Sequence, residues 1–306
     1  MKKPIFFSAI IIYFLSMLSA RSCDVCGCGA TNYNFGILPQ FHKNFIGIRY
    51  RYQHFESHPQ NKGAFVNTQD IFQSTELWGR FYIAPRLQVL AIVPYSFNTH
   101  SNYAETKHLQ GLGDASALIN YNVLDRFTLK DSVTAIKHNL WVGMGIKTAS
   151  GKYQYDRFDF TQVANANFQL GSGSWDILLS AIYTFRYRNF GLNSNTVYRR
   201  TTQNPVKYQF GNRLNTSLSA FYVKQFKTLG LMPNAGVLLD WGQKDRSESK
   251  TVVETGGYAA LLTGGVDVYR KSWSIGISAQ IPIQQNLGEG HLMTHERVNV
   301  NLTYLF

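Results

Sequence analysis

The chain has 306 residues, of which 16% are charged and 14% aromatic, and its formal net charge is +12. Soluble domains carry about 25% charged residues, so this composition favours a surface that contacts lipid. Lysines and arginines are spread singly along the chain, which argues against a nucleic-acid-binding face and for contact with anionic lipid headgroups. No low-complexity linker or charge block divides the sequence, so one main domain is predicted.

Residues 1–22 have the features of a secretory signal peptide. Two lysines precede the apolar run from Ile5 to Leu18, and cleavage is expected near Ala20 or Ser22. The run is short for a spanning helix, and no later stretch has the roughly 18 uninterrupted apolar residues that such a helix needs. We therefore expect export from the cytoplasm, with any passage through a membrane made by strands.

Residues 23–44 form a predicted periplasmic segment that holds all three cysteines, Cys23, Cys26 and Cys28. In an oxidising periplasm two of them can form a disulfide, which leaves one thiol over, and lipidation of Cys23 is a second alternative. Three thiolates this close can also hold a copper or zinc ion, exchanged with a periplasmic metal carrier. The sequence leaves these alternatives open.

From residue 45 onward, apolar and polar residues alternate with the period of a β-strand. Ile48 and Tyr50 share one face of the first strand, opposite Arg49 and Arg51, and the last strand ends on the aromatic Phe306. This is the pattern of a strand that separates lipid from a wet interior. About twelve strands are predicted, at residues 45–56, 75–83, 87–95, 115–123, 140–147, 175–188, 190–198, 214–222, 229–241, 258–269, 273–284 and 297–306.

The connections between these strands support a single architecture. Short ones, at 84–86, 189, 226–228 and 271–272, alternate with long ones at 57–74, 96–114, 149–174, 199–213, 242–257 and 285–296. Outer-membrane barrels alternate short periplasmic turns with long outer loops, and only the connection 125–139 is longer than this rule expects. We predict an all-β fold, a transmembrane antiparallel up-and-down β-barrel over residues 45–306. It would lie in the outer membrane of a Gram-negative-type bacterium, and the barrel-assembly machinery would recognise the strand that ends at Phe306.

Charged residues on the predicted inner face are the candidate lumen residues. They can set solute selectivity, as charged rings do in pores, or they can pair with one another and fill a narrow barrel. Gly143 and Gly145 would leave space beside one of them for a ligand or a neighbouring side chain. Asp114, after two turn glycines, is expected to accept backbone N–H groups. The candidates are Arg49, Arg51, Glu76, Arg80, Lys147, Asp176, Arg186, Arg188, Asp240 and Asp267.

Four short motifs occur in order along the barrel region. They are Arg86-Leu87-Gln88-Val89 with Pro94-Tyr95, Gly111-Leu112-Gly113-Asp114, Gly145-Ile146-Lys147 with Gly151-Lys152-Tyr153, and Gly171-Ser172-Gly173-Ser174-Trp175-Asp176. From about Phe45 to the C-terminus, the chain resembles the outer-membrane channel family typified by the phenol meta-degradation transporters. That family is similar to the long-chain fatty-acid channels, and the resemblance implies passage of small hydrophobic or aromatic solutes. At Thr148-Ala149-Ser150 the chain departs from the Pro-Thr that is common in the family.

Two other classes of function have weaker signals. Ser172 and Ser174 do not form the Gly-x-Ser-x-Gly elbow of a hydrolase, so no enzyme activity is predicted. His291 and His295, with two nearby glutamates, offer divalent-metal ligands, although exposed loop histidines are usually only solvated. The favoured prediction is a passive channel without a cofactor, and the alternative is a metal-handling barrel that uses the cysteine segment.

Overall fold

A computed structural model describes residues 43–58, 60–61, 64–65, 68–103, 105–125, 136–154 and 168–306. The predicted signal peptide and the three cysteines lie outside these residues, so the predictions about them stay predictions. Among the described residues there is no helix with the length and apolar character needed to cross a bilayer.

Twelve long strands form one antiparallel barrel. Each pairs with the next along the chain, and the last pairs with the first. The predicted all-β up-and-down barrel is therefore confirmed. The strands are β1 (Phe45–Ser57), β2 (Thr68–Ala84), β3 (Leu87–Ser101), β4 (Ser116–Asp125), β5 (Ile136–Lys147), β6 (Asp176–Tyr187), β7 (Phe190–Arg200), β8 (Arg213–Tyr222), β9 (Gly230–Gly242), β10 (Gly257–Arg270), β11 (Trp273–Leu287) and β12 (Leu292–Leu305).

The seam between β1 and β12 closes the barrel. Its register runs from Phe45 opposite Leu305 to Ser57 opposite Leu292, with one irregularity between Gln53 and Phe55. Beyond the Phe45–Leu305 pair, the amide of Phe306 donates to the carbonyl of Asn44 at 3.0 Å. Among the twelve described strands the ladder has no free edge, as a sheet in hydrocarbon requires.

Alternate side chains point outward and form an exposed apolar surface. On β1, Ile48 is 54% exposed, whereas its neighbour Arg49 is 6% exposed. At the end where the chain terminates, aromatic pairs form a girdle: Trp273 lies 5.0 Å from Tyr304 between ring centroids. Because period-two alternation assigns each residue to one face, the predicted lipid-facing and interior sides are confirmed on these strands.

At one end of the barrel, the strands extend further than predicted. β2 begins at Thr68 instead of residue 75, and Thr106–Leu112 forms an extra strand that pairs back onto β3. The long loop predicted at 285–296 was wrong, because β11 and β12 leave only residues 288–291 between them. These extensions mix polar and apolar residues on both faces, as with the adjacent Ile71 and Phe72 on β2, so no one-sided apolar alternation marked them in the sequence.

Short turns and long loops lie at opposite ends. Residues 85–86, 188–189 and 271–272 turn at the end that holds both barrel termini, which we call the periplasmic end. The described parts of the longer connections, including 148–154 with 168–175, 201–212 and 243–256, lie at the other end, which we call extracellular. In the connection predicted at 125–139, which is longer than a short periplasmic turn, residues 126–135 lie outside the described residues.

Candidate functional site

The inner face of β4–β8 is polar but packed. Asn120 has none of its surface exposed, and Ser180 donates to its side-chain oxygen at 2.5 Å. A Cβ added at Gly143 would lie 2.2 Å from that oxygen, and one at Gly145 would lie 2.0 Å from a carbonyl of β4. Neighbouring groups therefore fill the space that was predicted near Lys147. Other buried polar residues on this face are Asn122, Thr184, Asn193, Asn195, Ser217 and Ser219.

The inner face of β9–β12 carries a row of polar residues that water reaches. We call it the polar strip: Asn234, Asp267, Ser278, Asn299 and Asn301, all partly exposed. The strip is internally bonded: Asn234 donates to Asp267 at 3.4 Å, and Asn299 donates to Ser278 at 3.4 Å. Because these side chains point into the barrel, the water that contacts them lies in the lumen.

Two apolar clusters narrow the lumen at different heights. The inner apolar cluster begins at the periplasmic end of β1, where Phe45 packs edge-on against Trp78 with ring centroids 4.6 Å apart, and reaches Leu178 and Val197 toward the extracellular ends of β6 and β7. Since its members come from strands all around the barrel, it constricts the passage on several sides. The cluster consists of Phe45, Trp78, Leu90, Ile92, Leu118, Leu178, Val197, Phe221, Met232, Tyr269 and Leu305.

The outer apolar cluster lies near the extracellular mouth. Phe168, from the loop between β5 and β6, has its ring centroid 6.0 Å from Phe72 and 5.5 Å from His100. This loop therefore reaches into the barrel and contributes to its entrance. The cluster consists of Phe55, Phe72, Phe168, Leu238, Ala259, Leu261, Leu287 and Leu292.

Two arginines share one carboxylate beside the polar strip. Arg49 donates to Glu76 at 2.7 and 2.5 Å, and Arg51 donates to the other carboxylate oxygen at 3.0 Å. All three are buried. Arg49 and Arg51 stand opposite Asn301 and Asn299 in the β1–β12 register, so they lie at the same height as the strip. Two cations against one anion give this wall a local excess of positive charge.

A second ion pair lies between the strip and the outer apolar cluster. Arg297 approaches Asp240 at 3.4 Å, and its guanidinium lies 5.5 Å from the ring centre of Phe55. Asn215 donates to the remaining oxygen of Asp240 at 2.8 Å. An arginine that contacts both an aromatic ring and a carboxylate forms a junction between the apolar mouth and the polar strip.

Lys147 lies at the extracellular end of β5 and is bound by two carboxylates. Its ammonium group lies 2.6 Å from Asp114 and 3.2 Å from Asp176, and it donates to Ser172 Oγ at 2.5 Å and to the Ser174 carbonyl at 3.0 Å. None of its surface is exposed. Three of the four motifs quoted from the sequence therefore each contribute one residue to a buried ion triad.

Asp114 fastens the β5–β6 loop to the barrel wall. It accepts the backbone N–H groups of Gly151 at 2.9 Å and Ser172 at 2.8 Å, which confirms the predicted role of this residue. The two crossing segments touch through glycines, since a Cβ on Gly171 would lie 2.4 Å from Asp114 and 2.5 Å from the Gly151 carbonyl. Only glycine allows this approach.

A second buried acid organises the loops after β7 and β9. Asp245 accepts from the Tyr208 hydroxyl at 2.7 Å and from the Gly211 amide at 2.7 Å. Burial raises the pKa of Asp245, while nearby Arg213 acts in the opposite direction. This contact ties the loop after β7 to the loop after β9.

The remaining predicted lumen residues occupy different places. Arg80 is buried at the periplasmic end, with its guanidinium 5.1 Å from the centre of the Phe45 ring. Arg186 donates to the carbonyl of Arg188 at 2.7 Å. Arg188 itself is exposed in the β6–β7 turn, with its guanidinium 5.4 Å from the Tyr187 ring, outside the lumen. The strand ends one residue earlier than predicted, and this shortening removes Arg188 from the inner face.

Interior charges that the sequence reasoning did not select include Arg199, Arg213 and Arg297, all buried. Arg297 lies two residues before the inward Asn299, so alternation along the last strand also predicts an inward side chain at Arg297. Asp245 lies in a loop, where no periodic pattern identifies an inward side chain.

An even number of antiparallel strands, a closed ladder, an apolar outer face and loops of unequal length define an outer-membrane β-barrel protein. No protein-family model matches the chain, and no curated protein matches it significantly. Among solved structures, it is similar to an outer membrane channel from Pseudomonas putida F1, with a TM-score of 0.59 and 13% identity, over 86% of this chain and 96% of that one. The β domain of the Bordetella autotransporter BrkA has a TM-score of 0.48 and 7% identity, over 86% of this chain and 100% of that one. The first likeness supports the barrel fold.

Proposed function

We propose that the protein is a passive outer-membrane channel for small solutes, and that the polar strip is its pathway. The observation that carries the proposal is a contrast within the lumen: the inward polar residues Asn120, Ser180, Asn193 and Ser217 of β4–β8 are buried, whereas the five residues of the polar strip on β9–β12 are partly exposed. A barrel that served only as an anchor would not need an accessible polar wall beside a packed one. Passage along one side of the lumen restricts the channel to small solutes.

The walls of this pathway also indicate a class of solute. Between the extracellular mouth and the strip lie the packed rings of Phe55 and Phe72 and then Arg297, all buried, so a solute must displace them before it reaches the amides and hydroxyls of the strip. We propose small aromatic solutes that carry a polar or anionic group, because a ring can stack on the phenylalanines while arginines attract the negative part. The excess positive charge at Arg49 and Arg51 supports the anionic preference.

Permeation through the purified barrel tests the pathway. Liposome swelling and planar-bilayer conductance should be measured for the wild type, Ser278→Trp and Ile277→Trp. Ser278 faces the lumen, whereas the adjacent Ile277 is 53% exposed on the lipid side, so the pair applies one substitution to opposite faces. We expect Ser278→Trp to lower conductance severalfold and Ile277→Trp to leave it unchanged. Equal conductance in all three, or a wild-type barrel that passes nothing, would overturn the pathway.

A separate measurement tests the solute class. Zero-current potentials in gradients of potassium benzoate and of potassium acetate compare an aromatic anion with a smaller aliphatic one. We expect benzoate to permeate at least as well as acetate despite its size. A lower permeability for benzoate, in proportion to its size, would remove the aromatic preference while leaving the channel in place.

The hydrolase alternative has less support from the geometry. Ser172 Oγ contacts Lys147, but a lysine that activates a serine must be neutral, and this one lies against two carboxylates. Ser172 and Ser174 are both 2% exposed, which supports a structural role in the loop attachment.

A further inference from the structure

Two histidines and two glutamates meet on the outer surface of the seam. On β1 the outward residues change from aliphatic to aromatic to polar, ending with Tyr52, His54 and Glu56. On β12 the neighbouring positions are His295 and Glu296. Since this group begins where the aromatic residues end, it lies above the apolar band, at the extracellular rim.

An irregularity in the seam brings these residues together. The regular pairing stops at Gln53 opposite Arg297 and resumes at Phe55 opposite Thr294, so His295 and Glu296 both face His54. Such a bulge places two residues against one and redirects their side chains. The imidazoles of His54 and His295 stack with centroids 4.7 Å apart and planes inclined by 22°.

The ligand atoms are close to the spacing of a metal site. One donor atom each from His54, His295 and Glu296 lie within 4.8 Å of one another. A zinc ion about 2.0–2.1 Å from its ligands holds two of them about 3.4 Å apart in a tetrahedral site. Small side-chain rotations close this difference. Nε2 of His54 is buried without a hydrogen-bond partner among the described residues.

Glu56 offers a fourth donor. Its Oε2 lies 3.3 Å from Nε2 of His295, which is already the separation of two ligands on one metal ion. The other oxygen accepts from the Gln69 side chain at 3.2 Å, which orients the carboxylate. The sequence suggested a site of His291 and His295 with Glu289 and Glu296. Among the described residues only His295 and Glu296 of these four belong to a close group of donors, and Glu289 pairs instead with Lys244 at 2.5 Å.

We propose that His54, His295 and Glu296, with Glu56, bind a divalent transition-metal ion of the zinc class and so cross-link β1 to β12. Mixed imidazole and carboxylate donors suit zinc, copper(II) and nickel, and they suit calcium and magnesium poorly. The bound ion would bridge the seam where the regular pairing is interrupted. This site is separate from the channel pathway, because it faces the outside of the barrel.

The test uses the full mature chain, folded in detergent, with all three cysteines replaced by serine so that they cannot contribute. After chelator treatment, Zn²⁺ is titrated by calorimetry, and Co²⁺ absorption reports the ligand geometry. We expect one Zn²⁺ per chain and a loss of affinity of about tenfold or more in His54→Gln and in His295→Gln. His138→Gln is the matched control, since His138 lies on β5 near the periplasmic end, and it should bind as the parent does.

A stability measurement separates binding from misfolding. Zn²⁺ should raise the unfolding midpoint of the parent and the His138→Gln variant, but not that of His54→Gln or His295→Gln, while Mg²⁺ should raise none. All variants should keep the gel mobility of a folded barrel without metal. Zinc binding that is absent from the parent, or that persists unchanged in both seam variants, would overturn the proposal.

Discussion

Removing the ammonium group of Lys147 tests how much the buried ion pairs with Asp114 and Asp176 contribute to the stability of the barrel. In Lys147→Met the side chain keeps its approximate length but loses its charge, and Asp114 and Asp176 stay buried around it. Asp176 still has Arg199 at 3.8 Å, so the uncompensated charge falls mainly on Asp114. Breaking a buried pair by removing one partner costs about 3–5 kcal/mol. The same energy lowers the folded-to-unfolded ratio by about 10²–10⁴-fold.

Urea titration of the barrel in detergent, followed by tryptophan fluorescence and gel mobility, measures this loss. Lys137→Met on the same strand is the control, because Lys137 has no ion pair among the described residues, and we expect it to change stability little. Adding Asp114→Asn to Lys147→Met should restore part of the loss, since it removes the buried charge. A loss below about 1 kcal/mol in Lys147→Met, the size expected of an exposed pair, would refute the reasoning.

Two further predictions concern the loop attachment and the lumen charge. Gly171→Ala should destabilise the barrel by about 1–3 kcal/mol, because the added Cβ would lie 2.4 Å from Asp114. Gly264→Ala is the control: a Cβ there has no heavy atom within 4 Å, so we expect no change in the same urea titration. Glu76→Gln should shift the zero-current potential in a KCl gradient toward anion selectivity, since it removes the carboxylate that Arg49 and Arg51 share. An unchanged potential in a folded variant would contradict the selectivity role proposed for these residues.

Much of the barrel could be predicted because the alternation of apolar and polar residues within each strand shows which side chains face lipid and which face the interior. The parity of Arg49, Glu76 and Lys147 placed them inside, since a strand offers only two faces. The turns at residues 85–86 and 271–272 were equally visible, because strand alternation stops and resumes there.

The division of the interior into packed and accessible walls could not be predicted. Asn120 and Asn299 look alike in sequence, and only the distance to the opposite wall decides which of them meets water. The partners of Lys147 come from separate loops, so no local spacing reveals them. His54 and His295 are brought together by one extra residue in the last strand, and such a bulge has no periodic signal.

The pairing of β1 with β12 has a consequence for assembly. Residues of the first and the last strand must pair with each other, and contacts between positions so far apart in the sequence form slowly. Until the C-terminal strand is made and inserted, an incomplete sheet has two unpaired edges, which favour pairing with other chains. A protein shortened by its final strand should therefore aggregate instead of forming a smaller barrel, so the final residues of the chain determine whether the preceding eleven strands have a stable place in the membrane.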